Sequence, residues 1–193
     1  MDIEKAIEVV KFELNQSRFE HTLRVMETSE KLAERFHVPV EKAKLAAALH
    51  DYAKNWPADR LKTYIQNHLP SELLEYHVEL WHGPVAADIM EKQFHVTDME
   101  VLQAIRHHTT GRAKMTKVEM VVYLADYIEP GRSFPGLEEV RNASEKNLEY
   151  ACWLTAKKTL QYLIGRNSII HPDSIHAYND LTGFVKAEGM LNE

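Results

Sequence analysis

Helical periodicity dominates this sequence and limits the folds that are open to it. Apolar residues recur every three or four positions along most of the chain, and no stretch alternates apolar and polar residues as a β-strand would. Capping-box pairs, in which Ser or Thr precedes Glu by three positions, indicate helix starts at Ser17, Thr97 and Thr116. Prolines that a first helical turn would tolerate stand at Pro39, Pro57 and Pro84.

We therefore predict an all-α fold of about eight to ten helices. The predicted helices cover residues 2–15, 17–36, 40–51, 57–68, 71–79, 84–93, 98–108, 116–128, 145–164 and 174–187. The length of 193 residues suits one domain, spanning residues 1–193, with a sizeable hydrophobic core.

Charge and hydropathy argue against two classes of partner. The net charge of −6 disfavours a broad basic surface, so we predict no nucleic-acid partner. No stretch approaches the ~20 apolar residues of a membrane span, and charged residues interrupt the N-terminal segment MDIEKAIEVV where a signal peptide would be apolar. Cys152 is the only cysteine, which excludes an internal disulfide and favours a buried structural role in a cytoplasmic protein.

Several of the 11 histidines fall on faces that should point inward. His21 shares a helix face with Val25 and Leu32, where a histidine is either a core residue with one hydrogen-bond partner or a ligand. In the helix around VLQAIRHH, His108 falls on the apolar face and His107 on the polar one. His82 precedes a Gly-Pro pair at a helix entrance and suits a loop histidine or a site residue equally well.

Two carboxylates also occur in apolar surroundings. His50 and Asp51 end the alanine-rich run LAAALHD, and both could reach one ion beside the helix, although a histidine at a helix C-terminus also interacts well with the helix dipole. Asp126 lies in the apolar helix VEMVVYLADYI, where a carboxylate needs a buried partner such as Arg, His or a metal ion.

Four histidines and two carboxylates form a donor set that suits Fe, Mn, Zn or Co. Six donors are many for one catalytic ion that keeps an open position, so they suit two ions with Asp51 as a bridge. A two-metal site stabilises the attacking and leaving oxygens of a phosphoryl displacement and generates hydroxide near neutral pH. The predicted donors are His21, His50, Asp51, His82, His108 and Asp126.

The order of the donors and the five segments around them resemble those of a known family. The order His21, His50–Asp51, Asp126 is the H…HD…D signature of the HD-domain metal-dependent phosphohydrolases. The flanking segments resemble the YqeK-like family, bacterial HD-domain hydrolases that cut diadenosine tetraphosphate symmetrically into two ADP, from His21 to Asn179. These segments are HDYAK at 50–54, WHGPVAA at 81–87, AIRHHTTGR at 104–112, LADYIEPGR at 124–132 and IIHPDSIHAYN at 169–179.

The resemblance implies an HD-domain helical bundle and one or two metal ions, iron first and Mn, Co or Zn as alternatives. It assigns the metal to His21, His50, Asp51 and Asp126, and it leaves open whether His82 and His108 bind a second ion or phosphate. It also implies a homodimer. The segment from Ile169 to Asn179 is expected to contact the nucleotide, although an ordinary loop is the alternative. The predicted nucleotide contacts are Lys54, His82, His108, Thr109, Asp126, Arg132, Ile169, Ile170, His171, Pro172 and Asn179.

The expected reaction is in-line attack of a metal-bound hydroxide on phosphorus. Asp51 would hold the metal, Lys54 and Arg132 would orient and neutralise the phosphate chain, and His82 or His108 would protonate the leaving ADP. The alternatives are an HD-domain phosphatase or phosphodiesterase for other nucleotides, a nucleotide-binding sensor, and a structural helical domain.

Overall fold

Helices account for the regular structure in this protein, as the periodicity predicts. The computed structural model describes residues 1–190, and within that range it contains ten α-helices, two short 3₁₀-helices and no β-strand. The α-helices are α1 (Ile3–Glu13), α2 (Gln16–Arg35), α3 (Val40–Leu49), α4 (Ala58–His68), α5 (His82–Lys92), α6 (Met99–His107), α7 (Lys117–Ile128), α8 (Leu137–Ser144), α9 (Leu148–Gly165) and α10 (Pro172–Ala187). The 3₁₀-helices are Ser71–Glu75 and Val78–Leu80.

Four helices form the centre of the fold. Helices α2, α3, α6 and α7 pack on one another, α1 covers α3, α5 covers α6, and α9 joins α7 to the outer helices α8 and α10. Helix α3 fits between its neighbours because small side chains line it, and the distance between packed helices depends on the side chains at the contact. Its fully buried alanines are Ala43, Ala46, Ala47 and Ala48.

Local signals at the helix ends were only partly predicted. The capping box at Thr116 is confirmed, since its hydroxyl accepts from the Glu119 N–H and the Glu119 carboxylate accepts from the Thr116 N–H. The other two predicted caps were wrong. The N-cap of α2 is Asn15, not Ser17, and that of α6 is Asp98, not Thr97, because in each case a nearby Asn or Asp side chain accepts the free N–H groups.

Two segments differ from the predicted helices. Residues 71–79 were predicted as one helix, but they form two 3₁₀-helices separated at Tyr76, whose backbone is extended. The prediction omitted α8 and began the next helix at residue 145, whereas α9 begins at Leu148 after the N-cap Asn147.

Two further features bear on the sequence-based expectations. None of the helices within residues 1–190 is both long enough and apolar enough to span a membrane. Cys152 is fully buried, and burial raises the pKa of its thiol far above the ordinary value, so it serves as a packed apolar residue.

Candidate metal centre and nucleotide cleft

The four central helices and α5 bring the six predicted donors together. Helix α2 carries His21, the C-terminal end of α3 presents His50 and Asp51, α5 begins at His82, and α6 is followed by His108. Asp126 completes the cluster from the last turn of α7. All six side chains are buried or nearly so; the Asp126 side chain is the most exposed, at 16%.

Asp51 lies at the centre of this cluster and is completely buried. Its Oδ2 atom is 3.0 Å from His50 Nε2 and 3.6 Å from His21 Nε2. Its Oδ1 atom faces the other side, at 3.2 Å from His82 Nε2 and 3.9 Å from His108 Nε2. The two oxygens therefore face two different groups of histidines, which is the arrangement that a bridging carboxylate requires.

Two overlapping sets of donor atoms are each compact enough to hold an ion, but both include His50, whose one free ring nitrogen can bind only one ion. One set comprises His21, His50 and Asp126, and the other comprises His50, Asp51 and His108, with the donor atoms in each set within 4.8 Å of one another. His82 Nε2 lies 3.0 Å from His108 Nε2, so a fourth imidazole adjoins the second set. Imidazole nitrogens and carboxylate oxygens in this number suit a divalent transition metal.

The hydrogen bonding of these donors fits a metal ion. His21 Nε2, His50 Nε2 and both Asp51 oxygens are buried, and their close contacts are with charged or candidate metal-ligating groups of the cluster and with Arg18. Within residues 1–190, none of these contacts is a hydrogen bond of acceptable geometry. Buried polar atoms are rarely left in this state, because it costs roughly 1–3 kcal/mol per group. A cation between these atoms would satisfy all of them at once.

The opposite ring nitrogens of the histidines are held in place. His50 Nδ1 lies 2.6 Å from the Ala47 carbonyl oxygen, and His108 Nδ1 lies 2.8 Å from that of Ile105. A carbonyl oxygen can only accept a hydrogen bond, so each Nδ1 carries a proton and Nε2 is the nitrogen that each ring has left to bind a metal ion. Such contacts orient metal-binding histidines and fix their tautomer.

His21 is oriented in the same way by a carboxylate that the sequence analysis missed. Its Nδ1 lies 3.1 Å from Glu129 Oε1, while Glu129 Oε2 accepts from Arg24 Nε at 2.6 Å. Glu129 is 2% exposed, three residues after Asp126 at the end of α7. The spacing to Asp126 was the available signal, but it could not show that Glu129 faces α2.

The predicted facing of the two adjacent histidines is confirmed. His108 is buried in the cluster, whereas His107 is half-buried and lies 3.9 Å from Asp173 at its Nε2. Gly83 lets α5 approach closely, because a Cβ atom at this position would lie 3.1 Å from the Ile105 and Arg106 carbonyl oxygens. His82 thereby reaches His108.

Electrostatics keep the carboxylates ionised and the second pair of histidines neutral. Burial opposes ionisation of Asp51, but His50 beside it holds the pKa of that carboxyl well below its usual range. Burial likewise opposes ionisation of Asp126, and His21, whose Nε2 lies 3.0 Å from its Oδ1, holds the pKa of that carboxyl well below the usual range. Burial lowers the pKa of His82, and lowers that of His108 well below its ordinary value, so both present lone pairs at neutral pH.

Positive side chains line the cavity above the cluster. This central cavity, of about 350 Å³, is lined by His82, His108 and Asp126 and by three cations. Arg132 Nη2 lies 2.7 Å from Asp126 Oδ1, and Lys54 forms an ion pair with Glu79. The third cation, Arg18, forms an ion pair with Asp51, and the sequence analysis missed it although it lies one turn before His21.

A second cavity adjoins the central one through Leu80 and Thr109, which line both. It has a volume of about 290 Å³, and we call it the His171 cavity, since His171 and Pro172 contribute to its wall. The rings of Tyr76 and His171 lie 4.5 Å apart at their centroids. The hydroxyl oxygen of Thr109 is buried without a hydrogen-bond partner in residues 1–190.

Three of the predicted nucleotide contacts line neither the central cavity nor the His171 cavity. Ile169 is 68% exposed, Ile170 is half-buried and Asn179 is exposed. His171 also has a structural role, because its Nδ1 accepts from the Asp173 N–H as the N-cap of α10.

Comparison with known proteins places this chain in the HD-domain class. Residues 18–131 match the HD-domain family, and this range contains all six clustered donors. The crystal structure of a "predicted HD superfamily hydrolase involved in NAD metabolism" from Clostridium acetobutylicum superposes with a TM-score of 0.88 at 33% sequence identity, covering 95% of this chain and 98% of that one.

Curated relatives define the family more narrowly. The symmetrical bis(5'-nucleosyl)-tetraphosphatase of Bacillus subtilis is 43% identical to this protein over 93% of this chain and 97% of its own. The Staphylococcus aureus protein of the same name is 39% identical, over 93% of this chain and 94% of its own. The chain therefore belongs to the HD-domain family of symmetrical bis(5'-nucleosyl)-tetraphosphatases.

Proposed function

We propose that this protein is a metal-dependent hydrolase that cuts diadenosine tetraphosphate symmetrically into two ADP. The observation that carries the proposal is the similarity to the Bacillus subtilis symmetrical tetraphosphatase, which extends over 93% of this chain. The buried histidine and aspartate cluster supports it, because it supplies the donors that metal-assisted phosphoryl chemistry needs.

His21, His50, Asp51 and Asp126 are our proposed metal ligands, with His82 and His108 as ligands of a second ion or contacts to phosphate. Bound there, one or two divalent ions would supply Lewis-acid charge and an activated water for hydrolysis. Iron is our first candidate, by resemblance to the family, and Mn, Co and Zn suit the same donors.

The cations of the central cavity are suited to hold the phosphate chain. Arg18 and Arg132 present guanidinium groups, which can contact phosphate through two parallel hydrogen bonds, and Lys54 adds a mobile positive charge. Thr109 presents a hydroxyl without a partner in residues 1–190, at the boundary with the His171 cavity. Each of the three cations pairs with a carboxylate in this structure, so contact with phosphate requires an exchange of partners.

Proton transfer to the leaving ADP requires a neutral-pH acid near the phosphate chain. His82 and His108 line the central cavity and share a short Nε2–Nε2 contact of 3.0 Å. Burial keeps both imidazoles neutral, so either would first have to take up a proton, which a phosphate bound beside it would favour, before passing it to the departing oxygen.

One nucleoside would occupy the His171 cavity. The tilted rings of Tyr76 and His171 offer faces on which a base can stack, and Pro172 extends that apolar wall. Contacts from Ile169, Ile170 and Asn179 stay predictions, as do the homodimer, the single-domain organisation over residues 1–193 and the cytoplasmic location.

Product analysis tests the proposal directly. The protein is loaded with Mn²⁺ or Fe²⁺ under reducing conditions, incubated with diadenosine tetraphosphate, and its nucleotide products are separated by chromatography. We expect ADP as the sole product and a loss of about 10³-fold or more in kcat for Asp51→Asn, since this substitution removes charge from the centre of the cluster.

Asp59→Asn is the matched control, because Asp59 is an exposed aspartate of α4 and the variant should keep wild-type activity. ATP plus AMP as products would overturn symmetric cleavage. Release of inorganic phosphate from nucleoside monophosphates or diphosphates, with the dinucleotide left intact, would instead favour an HD-domain phosphatase.

A further inference from the structure

A third cavity lies beside the central one, on a different side from the His171 cavity. It lies between the C-terminal end of α7, the loop that follows, and α9, and its volume is about 670 Å³. Tyr127, Arg132 and Thr159 line both this cavity and the central one. We call it the α9 cavity. It has no lining residue in common with the His171 cavity, so the two join the central cavity at separate places.

The lining of the α9 cavity combines aromatic rings with positive charge. Phe134 and Tyr162 are 37% and 62% exposed, and the Arg166 guanidinium lies 5.5 Å from the centroid of the Tyr162 ring. The rings of Tyr127 and Phe134 meet edge to face, with centroids 5.0 Å apart. Lys158 lines the same cavity, where it pairs with Glu139 at 2.6 Å. Exposed rings beside a cation are suited to stacking a base and neutralising an adjacent phosphate.

Symmetric cleavage places a geometric demand on the protein. The central bond of the tetraphosphate must lie over the metal-ligand cluster, so each half of the substrate extends away from the cluster with one nucleoside and two phosphates. One half can enter the His171 cavity. The other must leave the central cavity elsewhere, and the α9 cavity lies next to it, because Tyr127, Arg132 and Thr159 line both.

We infer that the α9 cavity is the binding site for the second nucleoside of the dinucleotide. This inference rests on the proposed function and deepens it. Phe134 and Tyr162 stack the base, and Arg132, at the boundary of the two cavities, contacts the phosphates of this half. Lys158 exchanges its partner Glu139 for the same phosphates or the ribose edge.

Charge favours this occupant over a segment of another protein. Arg132 and Lys158 line a cavity that shares Arg132 with the central one, where Arg18 and Lys54 also lie. A phosphate chain that runs from one cavity to the other would meet these four cations and would replace the carboxylates with which they now pair.

The test measures how much the aromatic rings contribute to use of the dinucleotide. Steady-state kinetics with diadenosine tetraphosphate compare the metal-loaded wild type with Phe134→Ala/Tyr162→Ala. Stacking of one base on such rings corresponds to roughly a tenfold effect, so we expect kcat/KM to fall about tenfold or more, chiefly through a higher KM. The conservative variant Phe134→Tyr/Tyr162→Phe keeps both rings and should retain the wild-type KM.

Phe12→Ala provides a matched control, since Phe12 is 91% exposed on α1, away from the cavities, and its removal should leave KM unchanged. If the wild type produces ADP but the double alanine variant keeps its KM within twofold, the second-nucleoside site is overturned while the proposed function stands. If the wild type fails to cut the dinucleotide at all, the proposed function itself fails. A thermal melting temperature unchanged between the variants excludes a loss of folding as the cause.

Discussion

Asp51 illustrates at the scale of single residues why this cluster is a binding site. A fully buried carboxylate is stable only with compensating positive charge, and the chain supplies Arg18 beside Asp51 together with four surrounding imidazoles. In His50 and His108 the Nδ1 proton is directed at a backbone carbonyl, so Nε2 is the ring nitrogen that faces Asp51. Donors that all face one another are explained by a cation between them.

Glu129 should control metal affinity without touching the metal. Its carboxylate accepts the Nδ1 proton of His21 and so raises the basicity of the nitrogen that faces the cluster. We expect Glu129→Gln to weaken Mn²⁺ binding by about 10–100-fold, the usual effect of losing such a partner. Isothermal titration calorimetry of the metal-free protein measures this change.

The variant Arg24→Gln distinguishes the hydrogen bond of Glu129 with His21 from its ion pair with Arg24. Arg24 contacts only the other carboxylate oxygen and is 36% exposed, so its loss should lower the affinity by less than Glu129→Gln does. Equal effects of the two substitutions would show that Glu129 acts through its ion pair and not through His21.

At the scale of helices, the sequence was most informative where a long apolar helix contains a charged residue that needs a buried partner. Helix α7 is apolar on all sides, so its one acidic residue near the C-terminal end had to have a buried partner, and Asp126 contacts His21 and Arg132. Helix α8 was missed because its eight residues are too short for a periodicity window. One signal of its start was present, since Gly136 precedes it with a φ of 83°, a backbone conformation that favours glycine. Residues 71–79 were misassigned because propensity does not distinguish 3₁₀ turns from an α-helix.

Contacts between helices could not be read from the pattern. Arg18 looks like a surface residue at the start of α2, and only packing against the end of α3 brings it to Asp51. The same is true of Glu129 and His21, which are 108 positions apart in the chain. The cavity walls at Phe134 and Tyr162 likewise depend on how a loop packs against α9.

The start of α7 is held by a buried ion pair that gives a pH-dependent prediction. Glu119 has a side chain only 1% exposed, and Arg112 contacts its Oε1 through Nη2 at 2.8 Å. Burial raises the pKa of the Glu119 carboxyl, and Arg112 opposes that shift. Arg112→Ala should therefore raise this pKa further and lower the free energy of unfolding by about 3 kcal/mol at pH 7.5.

The sign of the pH dependence follows from the direction of the shift. A carboxyl with a raised folded-state pKa binds more protons folded than unfolded, so its penalty is absent below the ordinary pKa and grows as pH rises through and above it. Urea unfolding should show a smaller loss for Arg112→Ala at pH 5 than at pH 7.5. In Arg112→Ala/Glu119→Gln the loss should not vary between these pH values, and a loss in Arg112→Ala that is equally independent of pH would contradict the assignment.

At the scale of the whole molecule, the buried carboxylates of the cluster should make the stability of the fold depend on bound metal. The central helices α2, α3 and α7 meet at Asp51 and Asp126, two carboxylates held beside each other in the core. Each carboxyl has a pKa well below its usual range, so its neighbours already stabilise its charge in the metal-free fold. Ions bound by several helices at once would add to this stability by linking these elements through shared ligands.

Removal of metal should therefore lower the melting temperature of the whole protein and not merely its activity. A ligand present at 1,000 times its dissociation constant stabilises the folded state by about 4 kcal/mol, which for a domain of this size corresponds to roughly 10 °C. Differential scanning calorimetry with excess Mn²⁺ and after dialysis against a chelator measures the difference. In Asp51→Asn the response to Mn²⁺ should shrink to a few degrees, and the metal-free melting temperature should fall below that of the wild type, because Arg18 and His50 lose the buried charge beside them. An Asp51→Asn protein that gains as much from Mn²⁺ as the wild type would show that the metal stabilises the fold from some other site.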